Sequence, residues 1–287
     1  MNPRHTTPIL AVMRAALRLL LIVTTFAALA CERAPDTFEA YLKVAEEEIG
    51  REQYEKAEDA LLSAIDLPRP ENPQKARALM ELLRRLGQGY RLTRKDPQRA
   101  LLNLQRAFSV ASMTPQPHWG LASVLPEIGQ AYADLGNYPK AEAAMREALS
   151  RQEPAPKDIE GVRVIVGNLA EVCEKQAKYD EAERFYLREI GIMEANVKEK
   201  AIYREQIAYP LANLAEVDRK QAKSDDADRY FSRALAVMAD AKLDNAAVPE
   251  TMANYARLLR QTGRAQDAER LESEAKARRV RLGAADK

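Results

Sequence analysis

The chain has 287 residues, a formal charge of +1, two histidines and two cysteines. Its 44 Lys+Arg balance its 43 Asp+Glu, which leaves no concentrated basic surface of the kind a nucleic-acid partner needs. Aromatics are 6%, while Ala, Leu, Glu, Lys and Arg dominate as they do in long-helix proteins, and no segment alternates cleanly as a half-buried strand does.

Residues 1–30 carry Arg4, Arg14 and Arg18 and no acidic residue. The run from Leu19 to Ala30 then has no charge, a length that suits the apolar region of a signal peptide and falls short of the roughly 20 residues that span a bilayer. It ends in Ala28-Leu29-Ala30-Cys31, followed by Glu32. Small residues and then cysteine resemble the lipobox of bacterial lipoproteins, with Ala28 where Leu is commoner. The resemblance implies cleavage before Cys31, a diacylglycerol thioether on its sulfur, and acylation of the new amine. An ordinary signal peptide cut nearby and an uncleaved anchor are the alternatives. On the lipoprotein reading residues 1–30 are the signal peptide, 31–37 a lipidated tether and 38–287 the folded domain. Loss of the three arginines turns the charge from +1 to −2. Several acyl chains make anchoring stable. Glu32, not Asp, implies by resemblance to Gram-negative lipoproteins the outer membrane, facing the periplasm. With Cys31 lipidated, Cys173 has no partner for a disulfide.

From residue 38 onward one phrase recurs. Ala57, Ala100, Ala141, Ala182, Ala227 and Ala268 lie 43, 41, 41, 45 and 41 residues apart, in phrases such as Tyr54-Glu-Lys-Ala-Glu58, Tyr138-Pro-Lys-Ala-Glu142 and Tyr179-Asp-Glu-Ala-Glu183. A fixed period in this range marks a stacked repeat protein. Prolines separate the units: Pro68, Pro70 and Pro73, then Pro115 and Pro117, then Pro154 and Pro156. Asn72-Pro73 and Lys95-Asp96-Pro97 read as helix starts. In the third unit Leu121, Leu125, Ile128, Gly129 and Tyr132 share one helix face. Gly136-Asn137 ends that helix, Pro139 sits in the first turn of the next, and Ala141, Ala144, Met145, Ala148 and Leu149 form its buried stripe. Leu86-Gly87 with Tyr90, Leu169-Ala170 with Cys173, Leu214-Ala215 and Tyr255-Ala256 repeat the pattern. Pro210 falls inside a helical pattern from Glu199 to Lys220, and either begins a helix near Tyr209 or kinks one. The polar run Glu269–Arg279 suits the exposed end of a stack.

Leu125, Ile128, Gly129, Tyr132, Gly136, Tyr138, Ala141 and Ala148 resemble a tetratricopeptide repeat, and the likeness extends over residues 38–282. It implies an all-α, right-handed α-solenoid of six helical hairpins, with Gly or Ala at the eighth repeat position and Ala at the twentieth letting two helices approach closely. The spacing exceeds the family's usual period of about 34 residues. It resembles the longer repeat of kinesin light chains, in which Asn-Leu-Ala recurs: here Asn168-Leu169-Ala170 and Asn213-Leu214-Ala215, with Asn254-Tyr255-Ala256 close behind. The first two units carry Lys43 and Arg85 at that asparagine.

Catalytic chemistry finds little footing. His118, beside Trp119, is the one histidine beyond the leader, and neither Cys-x-x-Cys nor His-Glu-x-x-His occurs. His118 reads as a surface residue at a helix start and Cys173 as part of the packing stripe. Gly87-Gln-Gly89 lies within a helix pattern and is no phosphate loop. We expect no catalytic residue, no metal, no cofactor and no small-molecule substrate. What remains is recognition. Asparagine both donates and accepts, so Asn168, Asn213 and Asn254 in register can hold an extended peptide backbone, as such asparagines do in the family; the alternative is that they bond locally between repeats. Glu127, Glu171 and Glu216 join them as candidates for a polar or basic ligand segment. The clamp that binds a terminal carboxylate in chaperone-binding repeats is not matched. The expected function is a membrane-tethered scaffold that takes a protein or peptide partner on its concave face. The alternative is an assembly factor for an outer-membrane, pilus or secretion complex, working through the convex face or loops.

Overall fold

The computed structural model describes residues 37–68, 72–113, 118–152 and 158–285. Cys31 and the leader lie outside them. The described residues form twelve longer helices and one short one. In chain order these are α1 (Phe38–Gly50), α2 (Tyr54–Asp66), α3 (Pro73–Leu92), α4 (Pro97–Ser112), α5 (His118–Asp134), α6 (Tyr138–Gln152), α7 (Ile159–Lys175), α8 (Tyr179–Asn196), α9 (Tyr203–Gln206), α10 (Ala208–Lys220), α11 (Ser224–Asp240), α12 (Ala247–Gln261) and α13 (Ala265–Ala285). The expected all-α class and the hairpin pairing are observed. The chain packs as two compact units that divide within α3, between Leu82 and Leu83. In the first, α1 packs on α2. In the second, helices pair as α5/α6, α7/α8, α10/α11 and α12/α13, and each second helix packs on the first helix of the next hairpin.

All six repeated alanines are fully buried. Each is the fourth residue of its helix. Each N–H makes the first helical bond to the N-cap carbonyl: Ala57 to Gln53, Ala100 to Asp96, Ala141 to Asn137, Ala182 to Lys178, Ala227 to Lys223 and Ala268 to Arg264, all at 3.0–3.1 Å. Opposite them stand Ala45, Gly87, Gly129, Ala170, Ala215 and Ala256, thirteen residues earlier in the second unit of the sequence repeat and twelve in the others. A Cβ added to Gly87 would lie 3.2 Å from the Ala100 carbonyl oxygen, and one added to Gly129 would lie 3.2 Å from that of Ala141. The two backbones therefore cross at near-contact distance.

The turns share one geometry. The residue five before each alanine has a positive φ: Glu52, Lys95, Gly136, Ala177, Ala222 and Gly263. The next N–H reaches back five residues in five of the turns, for example Asn137 to the Tyr132 carbonyl at 2.8 Å and Lys178 to that of Cys173 at 2.9 Å, the closure of a Schellman C-cap. In the second turn Asp96 reaches back six, to Tyr90, at 2.9 Å. That extra residue accounts for the thirteen-residue separation there.

Two prolines sit within helices. Pro126 lies inside α5, where its ring leaves the Ala122 carbonyl without its helical donor, and Gln152 Nε2 donates to that oxygen at 3.4 Å. Pro210 is the third residue of α10. The helical pattern from Glu199 breaks at Ile207 into α9 and α10, so this stretch is interrupted just ahead of the proline. The longest repeat spacing, 45 residues, spans this same α8–α10 connection.

Enlarging a crossing alanine must force the helices apart. Ala227→Leu should lower stability by about 1–3 kcal/mol or more by overpacking. Ala222→Gly should raise it by up to about 1 kcal/mol, because the left-handed conformation costs an L-residue roughly that much. Thermal melting of the two variants beside wild type checks both signs.

Candidate functional site

The predicted residues lie on the first helices of hairpins three to six, α5, α7, α10 and α12; α5 touches α7, and α10 touches α12. Asn168 is half-buried on α7, and its Nδ2 is buried with no hydrogen-bond partner in the chain. Asn213 is half-buried on α10 and makes no side-chain hydrogen bond among the described residues. Asn254 differs: its Oδ1 accepts from Arg257 one turn along α12. Asn168 and Asn213 thus do not form a bond between repeats.

The three predicted glutamates fare unequally. Glu127 Oε1 accepts from Arg84 and, at 2.7 Å, from Gln88 Nε2, both on the preceding first helix, while its Oε2 is buried without a partner. Burial raises its carboxyl pKa in spite of the opposing Arg84. Glu216 accepts two bonds from Arg219, at 2.8 and 2.7 Å. Glu171 is exposed and has neither an ion pair nor a hydrogen bond among the described residues. Even so, protein packed around it raises its carboxyl pKa; Glu174 adds to the rise and Lys175 opposes it.

Further ion pairs tie the first helices together. Arg91 meets Asp134 at 3.4 Å, and two hairpins later, at the same register positions, the polarity reverses, with Lys220 donating to Glu174 at 2.7 Å. Tyr186 OH also donates to Glu174, at 3.2 Å. Glu189, buried on α8, accepts from Arg163 at 2.7 Å; a Cβ on Gly167 would stand 2.7 Å from its Oε2, so glycine there makes room for the carboxylate. Burial lifts Glu189 to about 7 against the pull of Arg163. Arg163 also holds Glu160, which Tyr203 OH and Lys200 reach from the start of the next hairpin.

Sequence reasoning missed two buried positions. Glu142, Cys173 and Glu181 bring two carboxylates and a thiol within 4.8 Å of one another. Glu142 is already held by Lys178, Gln176 and Arg146, and Arg146 also takes Glu181. Cations occupy the carboxylates, which does not suit a metal. Burial, then Glu142 and Glu181, push the Cys173 thiol up to about 11, so it behaves as a small apolar group. One hairpin further, Asp218 is 1% exposed at the register position of Cys173, and its Oδ1 has no partner. Burial, then Glu183 and Asp226, lift its carboxyl to about 6 against Lys223 and Arg229. The side chains of His118 and Trp119 lie outside the described residues.

Residues 120–195 match the tetratricopeptide repeat family, and the fold of the described residues is similar to solved repeat structures, kinesin-light-chain-like ones among them. No curated protein sequence matches it. The fold is similar to that of BtubC from P. vanneervenii, at 20% identity, over 87% of this chain and 93% of that one, with a TM-score of 0.64. It is also similar to the nearly identical kinesin light chain repeats of Podospora anserina, at 18% identity, over 74% of this chain and 99% of that one, with a TM-score of 0.57. NprR in complex with its cognate peptide NprX is similar at 14% identity, over 93% of this chain and 75% of that one, with a TM-score of 0.51.

The unpartnered Asp218 carboxyl sets a pH dependence. A carboxyl held above its ordinary 3.8 is neutral in both states at low pH and charged in both at neutral pH, so its burial costs stability progressively as pH rises toward about 6. Asp218→Asn should therefore stabilise the protein at pH 7 by about 1–3 kcal/mol and leave it unchanged near pH 3. Denaturant unfolding at the two pH values checks the sign.

Proposed function

We propose that the chain is a non-catalytic binding scaffold that holds an extended segment of a partner protein across α7 and α10. Tetratricopeptide repeats suggest protein or peptide binding, and that coarse statement applies to this fold. One observation carries the finer reading: Asn168 and Asn213 occupy the same register position on α7 and α10, and the Asn168 Oδ1 and the Asn213 side chain make no hydrogen bond among the described residues. A peptide backbone that pairs with both side chains gains roughly 1 kcal/mol net from each bond. Asn254 contributes less, since Arg257 already engages it. The solved NprR–NprX complex shows that a similar fold takes a peptide. Stacked hairpins fix the first helices before binding, which lowers the ordering cost on this side of the complex.

The test is crosslinking in the native envelope, with partners quantified by mass spectrometry. Asn168→Ala and Asn213→Ala should each reduce the crosslinked partner about fivefold, the equivalent of roughly 1 kcal/mol, with an unchanged melting curve. Loss of stability with undiminished crosslinking would assign the asparagines to packing instead.

We also propose that Cys31 carries lipid and tethers the scaffold to the outer membrane, facing the periplasm. The support is the sequence: the basic start, the short apolar run, and Ala-Leu-Ala-Cys followed by Glu32. Cys31→Ala should yield an uncleaved or soluble chain. A variant that still fractionates with membranes at the mature mass would overturn the assignment.

A further inference from the structure

We propose that the cleft framed by α11, α12 and α13 binds a small amphiphile, with a short apolar tail on its floor and an anionic head held by Lys242 and Arg281. Other residues than the asparagines build this site, so it does not rest on the peptide-binding reading.

The last two hairpins leave space between them. A half-open cleft of about 300 Å³ remains where the end of α11, the connection to α12 and the last turns of α13 meet. That volume stands at the small end of ligand pockets, which run from roughly 300 to 1,000 Å³. Its floor is core: Met238, Val248 and Met252 are buried, and Leu235 and Leu243 pack against them. Local backbone chemistry shapes it. Lys242 takes the left-handed conformation that ends α11, and the Leu243 N–H donates to the Met238 carbonyl at 2.9 Å. That closure returns Leu243 to the cluster that holds Met238, the apolar contact that accompanies a Schellman end. On the other side Arg279 donates to the Pro249 carbonyl at 3.3 Å, which holds α13 to the start of α12. The frame is therefore set before a guest arrives, while two unbranched methionines can adapt to its shape.

The rim is charged, and its charges do not balance. Lys242, Arg278 and Arg281 line the cleft with a single carboxylate, Asp244. Arg278 lies 3.9 Å from Asp244 and 3.2 Å from Glu274, so the chain already answers its charge. Lys242 and Arg281 make no ion pair and no side-chain hydrogen bond among the described residues. Arg281 follows Arg278 by three residues and so shares its face of α13. Methionine, valine and leucine give water on the floor no hydrogen-bond partner, and methylenes that displace it gain by burial. A guest with a cationic head would meet three like charges. A small anion without a tail would leave the floor wet. An anionic head on a short apolar tail answers the rim and the floor together, and the volume limits the tail.

The experiment titrates the full chain with hexanoate, octanoate and octylammonium by calorimetry. Octanoate should bind at about 1 mM or tighter. Hexanoate should bind about tenfold more weakly, because it lacks two methylenes. Octylammonium should also bind about tenfold more weakly, and added salt should narrow the gap between the two heads. Lys242→Gln and Arg281→Gln should each weaken octanoate about threefold without weakening octylammonium. Ala239 lines the cleft yet is exposed, so Ala239→Phe fills the space without entering the core. It should weaken octanoate about tenfold with an unchanged melting curve. No octanoate binding, equal binding of octanoate and octylammonium, or octanoate binding indifferent to Ala239→Phe or to both charge variants would overturn the assignment.

Discussion

Everything in this fold depends on how closely two helices can cross. At each crossing a fully buried alanine on the second helix faces Gly or Ala on the first, and at Gly87 and Gly129 there is no room even for a relaxed Cβ. That closeness fixes the turn. The chain must reverse between two small residues twelve apart, and one left-handed residue followed by an N-cap is the short way to do it. Four of the six left-handed positions are Glu52, Lys95, Ala177 and Ala222. Each costs roughly 1–2 kcal/mol of backbone strain relative to a relaxed residue. The buried crossing offsets the strain, so the turn is imposed by packing rather than chosen by local propensity.

In five of the six hairpins the residue after the strained one links its hairpin either to itself or to its neighbour; in the first, Gln53 makes no side-chain cap bond. Asp96 and Asn137 cap their own helices, accepting from the N–H groups of Arg99 and Lys140. In the last three hairpins this position is Lys178, Lys223 and Arg264, which cannot cap and sit poorly at a positive helix end. They reach back to Glu142, Glu183 and Asp228, the residue just after the preceding crossing alanine. Burial alone would raise the Glu142 carboxyl, yet bonds from Lys178, Arg146 and Gln176 bring it down to about 2. A capping bond within one hairpin has been exchanged for an ion pair between two. These pairs tie the later hairpins to one another, and those hairpins carry the asparagines.

The period, the crossing alanines and the helix starts at Pro73 and Pro97 were legible because each depends on residues close together in sequence. Gly136 was readable as a helix end, whereas Ala177 and Ala222 were not, because alanine carries no sign of a left-handed turn. Asp218 was invisible for a different reason. Its register position elsewhere holds Glu48, Tyr90, Tyr132, Cys173 and Leu259, mostly apolar or aromatic, and only the packing shows that here a carboxylate is fully buried. The fates of Glu127, Glu171 and Glu216 were equally hidden. Glu127 is paired by residues 39 and 43 positions away, one full repeat earlier. Periodicity predicts that such residues are neighbours, but not which side chains satisfy one another.

Pairing between repeats also decides what a face of this kind can recognise. A chain with 43 acidic and 44 basic residues offers no net field to steer a partner. Wherever a carboxylate finds a cation on the adjacent helix, both charges are spent on holding the stack, and the surface there is close to neutral for an incoming ligand. Recognition then falls to the side chains left over. The same stacking that makes the scaffold rigid filters its functional groups, since each ion pair between hairpins removes two of them from the binding surface. Among the candidate residues on α7 and α10, the filter leaves Asn168 and Asn213, at one register position, without an ion pair or a hydrogen bond among the described residues.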